Sequence, residues 1–112
     1  IFGYQAPSRA AQILSSYLDA DHRLFGDSPT ILDVGAGTGL VGERLHGLGH
    51  RNITACDISP DMLDVAMRKR CYEKVLCFDL EDSDQTDRWL PNSMFDAAIC
   101  VGLFTPNHVG VD

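Results

Sequence analysis

The sequence predicts an α/β domain built on a doubly wound parallel sheet. Three observations carry that expectation: four short apolar runs lack the polar alternation of a one-sided strand, helical spacing separates them, and a glycine-rich turn joins the first run directly to a helical pattern. A strand covered on both faces needs apolar residues at nearly every position, whereas a strand with one wet face alternates. The pattern therefore selects a buried parallel sheet.

In chain order, Ala10, Ile13, Leu14, Tyr17 and Leu18 follow an i, i+3, i+4 rhythm, and Pro7 suits a first helical turn. This predicts an amphipathic helix from Pro7 to about Ala20, packed on the sheet. Asp19 to Pro29 is polar and closes with Gly26-Asp27-Ser28-Pro29, a loop. Ile31, Leu32 and Val34 form the central strand, with Asp33 as its sole polar member. Gly35, Gly37 and Gly39 follow at alternate positions, and Val41, Leu45 and Leu48 mark the next helix, which ends near Gly47 to Gly49. Ile53, Ala55 and Cys56 make a second strand with Asp57 at its tip. Ser59 caps the next helix and Pro60 opens it, with Met62, Val65, Ala66 and the stem of Lys69 on one face and an end around Lys69 to Tyr72. Lys74 to Leu80 is a third strand through Val75, Leu76, Cys77 and Phe78. Glu81 to Ser93 is acidic, a short helix or loop turning at Pro91-Asn92, with Trp89 as a core anchor. Met94 to Gly102 is the fourth buried strand.

Composition narrows the function classes. The chain has 112 residues, 45% apolar and 22% charged, which suits one soluble globular domain spanning residues 1–112. No apolar run approaches the ~20 residues of a membrane span, and no signal sequence opens the chain, so the expected location is cytoplasmic with no membrane partner. A net charge of −7 and the lack of a basic patch speak against nucleic acid as a partner. The cluster Arg68-Lys69-Arg70 falls at a helix end, where cations complement the dipole. Cys56, Cys71, Cys77 and Cys100 show no C-x-x-C spacing and read as reduced core residues, so no metal is expected. The chain opens at Ile1 and stops at Asp112 shortly after an apolar run, which is read as the N-terminal part of a longer domain.

The glycine turn is the place for a ligand, because glycines admit positive φ and close approach while the first amides of the helix point into the same space. Asp33 beside it sets the sign of charge. A pyrophosphate would be repelled by the carboxylate, whereas a zwitterion with a positive centre is favoured. Asp33-Val34-Gly35-Ala36-Gly37-Thr38-Gly39 resembles the first motif of the class I S-adenosylmethionine (SAM)-dependent methyltransferases, and Asp57-Ile58-Ser59-Pro60-Asp61-Met62-Leu63 resembles their D-x-S-x-x-M-L segment. The competing string Gly37-Thr38-Gly39-Leu40-Val41-Gly42 is a G-x-G-x-x-G, as in dinucleotide-binding folds, but its last glycine falls inside the helix.

The resemblance implies a Rossmann-like sheet of order 3-2-1-4, as in a truncated class I methyltransferase fold, with SAM as cofactor. It assigns Asp33, Gly35, Ala36, Gly37, Thr38 and Gly39 to the methionyl end and Asp57 to the ribose diol. Ile58 flanks adenine, Asp79 accepts from the adenine N6 amine, and Met62 and Leu80 belong to the same cofactor-binding set. Tyr4 is a lid residue or ordinary packing, and Cys100 borders the crevice where the strand order reverses. The implied activity is methyl transfer to a small molecule or a protein side chain. No D-P-P-Y, N-P-P-Y or P-C-Q motif points to a nucleic-acid base. No catalytic base is identified; His108 is placed where an acceptor would sit, and His22, His46 and His50 have weaker cases. An NAD(P)-dependent oxidoreductase and a non-catalytic SAM-binding module are the alternatives.

Overall fold

The computed structural model describes residues 2–90 and 94–101, with side chains from Ala6 onward. The expectations for Tyr4's side chain, Pro91-Asn92, Gly102 and His108 lie outside the described residues. Helix α1 (Phe2–Ala20) and the short α2 (His22–Phe25) precede β1 (Ile31–Val34), α3 (Leu40–Gly47) and β2 (Ile53–Asp57). Helix α4 (Pro60–Arg68), β3 (Lys74–Cys77), α5 (Ser83–Trp89) and β4 (Ala97–Cys100) follow.

The sheet has the order β3-β2-β1-β4 with every pairing parallel, as expected. Ile31 lies opposite Ile53 and Ala97, and Val34 opposite Cys56 and Cys100, so the carboxyl ends of three strands stand level. The chain steps outward from β1 to β3 and then returns to the far side of β1. That reversal between β1 and β4 leaves a crevice above the strand ends. Successive residues of a strand face opposite sides, and here Ile31, Ile53 and Ala55 join one buried cluster while Leu32 and Cys56 join a second with Phe78. The central strands β1 and β2 are buried on both faces, as their unalternating runs require, whereas the edge strands β3 and β4 leave Lys74, Cys77 and Ala98 exposed, so the fourth strand is not the buried one expected. At the opposite end of β1, Thr30 and Asp96 clasp the two strand starts: the Thr30 amide donates to Asp96 Oδ2 (2.9 Å) and the Asp96 amide to Thr30 Oγ1 (2.9 Å).

Several faces are turned from their expected orientation. Helix α1 begins at Phe2 and carries Pro7 inside it, and its buried stripe is Pro7, Ala11, Ser15 and Leu18. Ile13 is 65% and Tyr17 64% exposed. Small residues face α3 because they permit close approach, and Ser15 Oγ reaches the buried His50 Nε2 at 2.9 Å. Tyr17 instead packs on Phe25, ring centroids 5.6 Å apart. Helix α3 buries Val41, Gly42 and Leu45, while Leu48 is its exposed C-cap. Helix α4 buries Leu63 and Ala66 and leaves Met62 and Val65 exposed.

Ser59 is the N-cap of α4 as expected, its Oγ accepting from the Met62 amide (3.2 Å). The basic cluster at the other end is structural. Arg68 pairs with Asp64 (2.7 Å), Lys69 reaches Glu43 (3.5 Å), and Arg70 adopts φ 58° with its amide on the Met67 carbonyl (3.0 Å). In the acidic stretch, Asp82 caps α5 by accepting from the amides of Asp84 and Gln85. Trp89 is 44% exposed rather than a core anchor. The C-cap residue Leu90, where the chain leaves the helical conformation, instead packs toward Leu32 and Phe78.

Strand β3 is shorter than expected, and Cys77 is exposed, with Sγ 3.5 Å from the Ile58 carbonyl. It is therefore not a core residue. Cys56 and Cys71 are buried, Cys100 is half-buried, and all four are free of disulfides. Among the described residues no cluster suited to a metal is present, and no helix is long and apolar enough to cross a membrane.

Arg70 is the one described non-glycine residue at positive φ. An L-residue there meets its own carbonyl through Cβ, a cost that glycine avoids. Arg70→Gly is expected to stabilise the fold by up to about 1 kcal/mol, offset in part by the entropy of the unfolded glycine. Urea denaturation of both proteins checks this; a destabilised variant would show that the arginine side chain outweighs the backbone strain.

Candidate cofactor site

The carboxyl ends of β1 and β2 and the start of α3 surround a cleft of about 490 Å³, lined by Asp33, Gly35, Ala36, Gly37, Thr38, Asp57, Ile58 and Met62 among others. It continues into a second cavity of about 300 Å³ lined by Phe78, Asp79, Leu80 and Glu81, and the two share Gly35, Asp57 and Ile58. Ten of the thirteen residues singled out in the sequence thus meet in one crevice. Gly39 is the buried N-cap of α3 and Cys100 stands one residue short of Val101, which does line the cleft. Pro7 brings α1 to the rim.

The glycine turn is shaped by Asp57. Its Oδ2 accepts from the Gly37 amide (2.8 Å) and its Oδ1 from the Ser59 amide (3.0 Å), so one carboxylate ties the turn after β1 to the turn after β2. Gly37 has φ 60°, and a Cβ placed on it would meet nothing within 4 Å. Backbone conformation, not crowding, calls for glycine there. In the second cavity, Asp79 Oδ1 accepts from the Glu81 amide (2.9 Å), and the Asp79 amide donates to Gln85 Oε1 (3.3 Å). The described lining of both cavities contains Asp33, Asp57, Asp79 and Glu81 and no Lys, Arg or His.

Asp33 is only 1% exposed, and its principal partner is a residue that the sequence pattern did not single out. The Tyr72 hydroxyl donates to Asp33 Oδ2 (2.5 Å) and accepts from the Gly42 amide (3.1 Å). An amide N–H can only donate, so the hydroxyl proton is directed at the carboxylate. A Cβ on Gly42 would overlap the Tyr72 ring and hydroxyl, which explains the glycine inside α3. Tyr72 lies just before β3, far from Asp33 in sequence and in no motif, and the only sequence signal was the glycine at 42.

Residues 31–110 match the methyltransferase domain family. The chain belongs to that family. It is 31% identical over 106 residues to human methyltransferase-like protein 27, covering 95% of the chain and 40% of that protein. It is 33% identical over 103 residues to a Dictyostelium discoideum protein named probable 18S rRNA (guanine-N(7))-methyltransferase, covering 88% of the chain and 34% of that protein. The chain thus spans well under half the length of these curated relatives. Among solved structures, magnesium protoporphyrin IX methyltransferase from Synechocystis PCC 6803 with bound SAM superposes with a TM-score of 0.57 at 21% identity, over 83% of this chain and 43% of that one. SAM-bound CalS10, an amino pentose methyltransferase from Micromonospora echinaspora, gives 0.58 at 22% identity, over 87% and 37%. These likenesses concern the fold. The expectation that nucleic acid is no partner is unsupported, since one relative is named for an rRNA substrate.

In this methyltransferase domain, burial pushes the Asp33 carboxyl up to about 6, with the Tyr72 hydrogen bond opposing the rise and the Asp57 charge adding to it. Burial also pushes the Tyr72 hydroxyl far above its usual range, helped by the Asp33 charge. Tyr72 therefore remains a neutral donor, and Asp33 is the member of the pair that titrates near neutrality.

Because the folded chain resists Asp33 ionisation, the contribution of this group is fully present below about pH 4 and is lost as the pH rises through about 6. The difference amounts to about 3 kcal/mol. Asn at this position keeps an acceptor for Tyr72 but does not titrate. Relative to Asp33→Asn, the parent is expected to gain about that much stability between pH 7 and pH 4, measured by urea denaturation at stepped pH; a flat difference would contradict the burial assignment.

Gly42→Ala is expected to destabilise by about 1–3 kcal/mol through overpacking. The loss should shrink in a Tyr72→Ala background, where the ring is gone. A double-mutant cycle by chemical denaturation reads this coupling, and additive effects would mean that the two residues do not constrain one another.

Proposed function

We propose that this domain binds SAM in the acidic crevice and serves methyl transfer to an acceptor. The observation that carries the reading is the lining itself: carboxylates with no described cation, arranged around a glycine turn. Such a lining suits a ligand with a sulfonium and an ammonium and disfavours a pyrophosphate. The dinucleotide alternative loses further support because the Gly42 amide in the first turn of α3, one of the donors a phosphate would use, is already given to Tyr72.

In this reading Asp33 and the turn from Gly35 to Gly39 receive the methionyl end, and Asp57 accepts from the ribose hydroxyls with lone pairs beyond those used by Gly37 and Ser59. Ile58 and Met62, exposed at the cleft, flank adenine, and Asp79 beside Leu80 accepts from its amine. Tyr4 and Cys100 are assigned by resemblance alone. SAM, when bound, supplies a methyl group already activated by the sulfonium. The task of the chain is then to hold that group and exclude water while an acceptor approaches in line. A small molecule or a protein side chain is the proposed acceptor, with an RNA base kept open by the relative named for rRNA. A cytoplasmic setting agrees with cysteines that form no disulfide.

Isothermal titration with SAM and, separately, NAD tests the cofactor; tighter binding of NAD would overturn the reading. Asp57→Ala is expected to weaken SAM binding by at least about tenfold, because hydrogen bonds to a charged acceptor contribute roughly 1.5–3 kcal/mol each. Asp57→Asn, which keeps one acceptor, should fall between. Unchanged affinity in the Ala variant with a native circular dichroism spectrum would remove Asp57 from the ribose site.

A further inference from the structure

A buried tyrosine that served only to fill space would be replaced by phenylalanine without loss, since the hydroxyl must find partners inside the core. In this chain the Tyr72 hydroxyl has two, and both belong to the crevice: the Asp33 carboxylate, which lines it, and the Gly42 amide in the first turn of the helix that bounds it. Room for the ring exists only because residue 42 lacks a side chain. The direction of both bonds is fixed by the amide, which cannot accept.

We propose that Tyr72 is a positioning residue for the cofactor: its hydroxyl orients the Asp33 carboxylate and favours its charged form toward the positive end of SAM, and Gly42 supplies the space and the amide that hold Tyr72 in place. The inference rests on the SAM-binding reading above and adds to it a residue outside the recognised motifs.

The electrostatic surroundings are consistent. A donor aimed at a carboxylate opposes the penalty of burial, so Asp33 is more readily ionised with the hydroxyl than without it. The other titratable groups within reach are Asp57 at the end of β2, whose charge acts against ionisation, and the thiols of Cys56 and Cys71. Burial raises both thiols, Cys56 to about 11, so they stay neutral where Asp33 titrates. The elements that pack here from the other sides present Pro7 and Ala11 of α1 and Ile99 of β4, none of which titrates.

The test is SAM binding by calorimetry between pH 5 and pH 7, below the range of an α-amino group, for the parent, Tyr72→Phe and Asp33→Asn, each checked for folding by its thermal transition. The parent is expected to bind more weakly as the pH falls through about 6. Tyr72→Phe is expected to bind about tenfold more weakly at pH 7, with its acid limb moved to higher pH. Asp33→Asn is expected to bind weakly with the limb abolished. If Tyr72→Phe keeps the parent's affinity, or weakens equally at every pH with the limb unmoved, the positioning role is overturned while SAM binding stands. A limb that persists in Asp33→Asn belongs to another group and overturns it as well. Absence of SAM binding by the folded parent overturns the proposed function itself.

Discussion

A carboxylate buried at the end of the central strand is the constraint on which the arrangement of this domain depends. Alternation along β1 puts Asp33 on the same face as Ile31, toward the larger cluster, where water cannot solvate a charge. Such a group needs a donor, and the Tyr72 hydroxyl is that donor. The requirement propagates outward. The phenol occupies the space beside α3, residue 42 must therefore lack a side chain, and the Gly42 amide is satisfied in return. To deliver Tyr72, the chain leaves α4 through Arg70 in a left-handed conformation and turns toward β3. One buried charge thus connects the central strand, the start of α3 and the segment after α4.

The crevice above the sheet concentrates negative charge, and among the described residues that line it no cation neutralises that charge. Each carboxylate is instead held by neutral donors: Asp33 by a hydroxyl, Asp57 by two amides from different turns, Asp79 by the amide of Glu81. This stabilises each acid while leaving their combined field directed at the cleft. A fold selected for stability alone would place a lysine or arginine among them. The retained field is the feature that a positively charged ligand would use, and the Asp57 charge adds to the rise that burial imposes on Asp33.

Strands were the most legible elements, because a strand buried on both faces shows the same unbroken apolar run whatever packs on it, as in Ile31 to Val34 and Ile53 to Cys56. Helix existence was legible for the same kind of reason in α1, α3 and α4, but the short α2 lies in a stretch expected to be a loop, and helix orientation was not legible. Ala11 and Ser15 face α3 because two backbones approach closely, and no count of large apolar residues reveals which side will do so; Ile13, Tyr17 and Val65 were assigned inward on that count and stand outward. Trp89 and Cys77 were misplaced likewise, since hydrophobicity reports a preference for burial and not whether a neighbouring element is there to provide it.

Local spacing dictated the strand–glycine turn–helix unit, the acids at the tips of successive strands, and the motifs that resemble the family's. Those features depend on residues close together in the chain, where spacing translates directly into geometry. Only the tertiary structure decided that Asp57 bridges two turns and that Asp33 is paired with Tyr72 through the gap left at Gly42. Both arrangements join segments distant in sequence, and a contact between such segments is set by how helices cross over a twisted sheet, which local spacing does not encode.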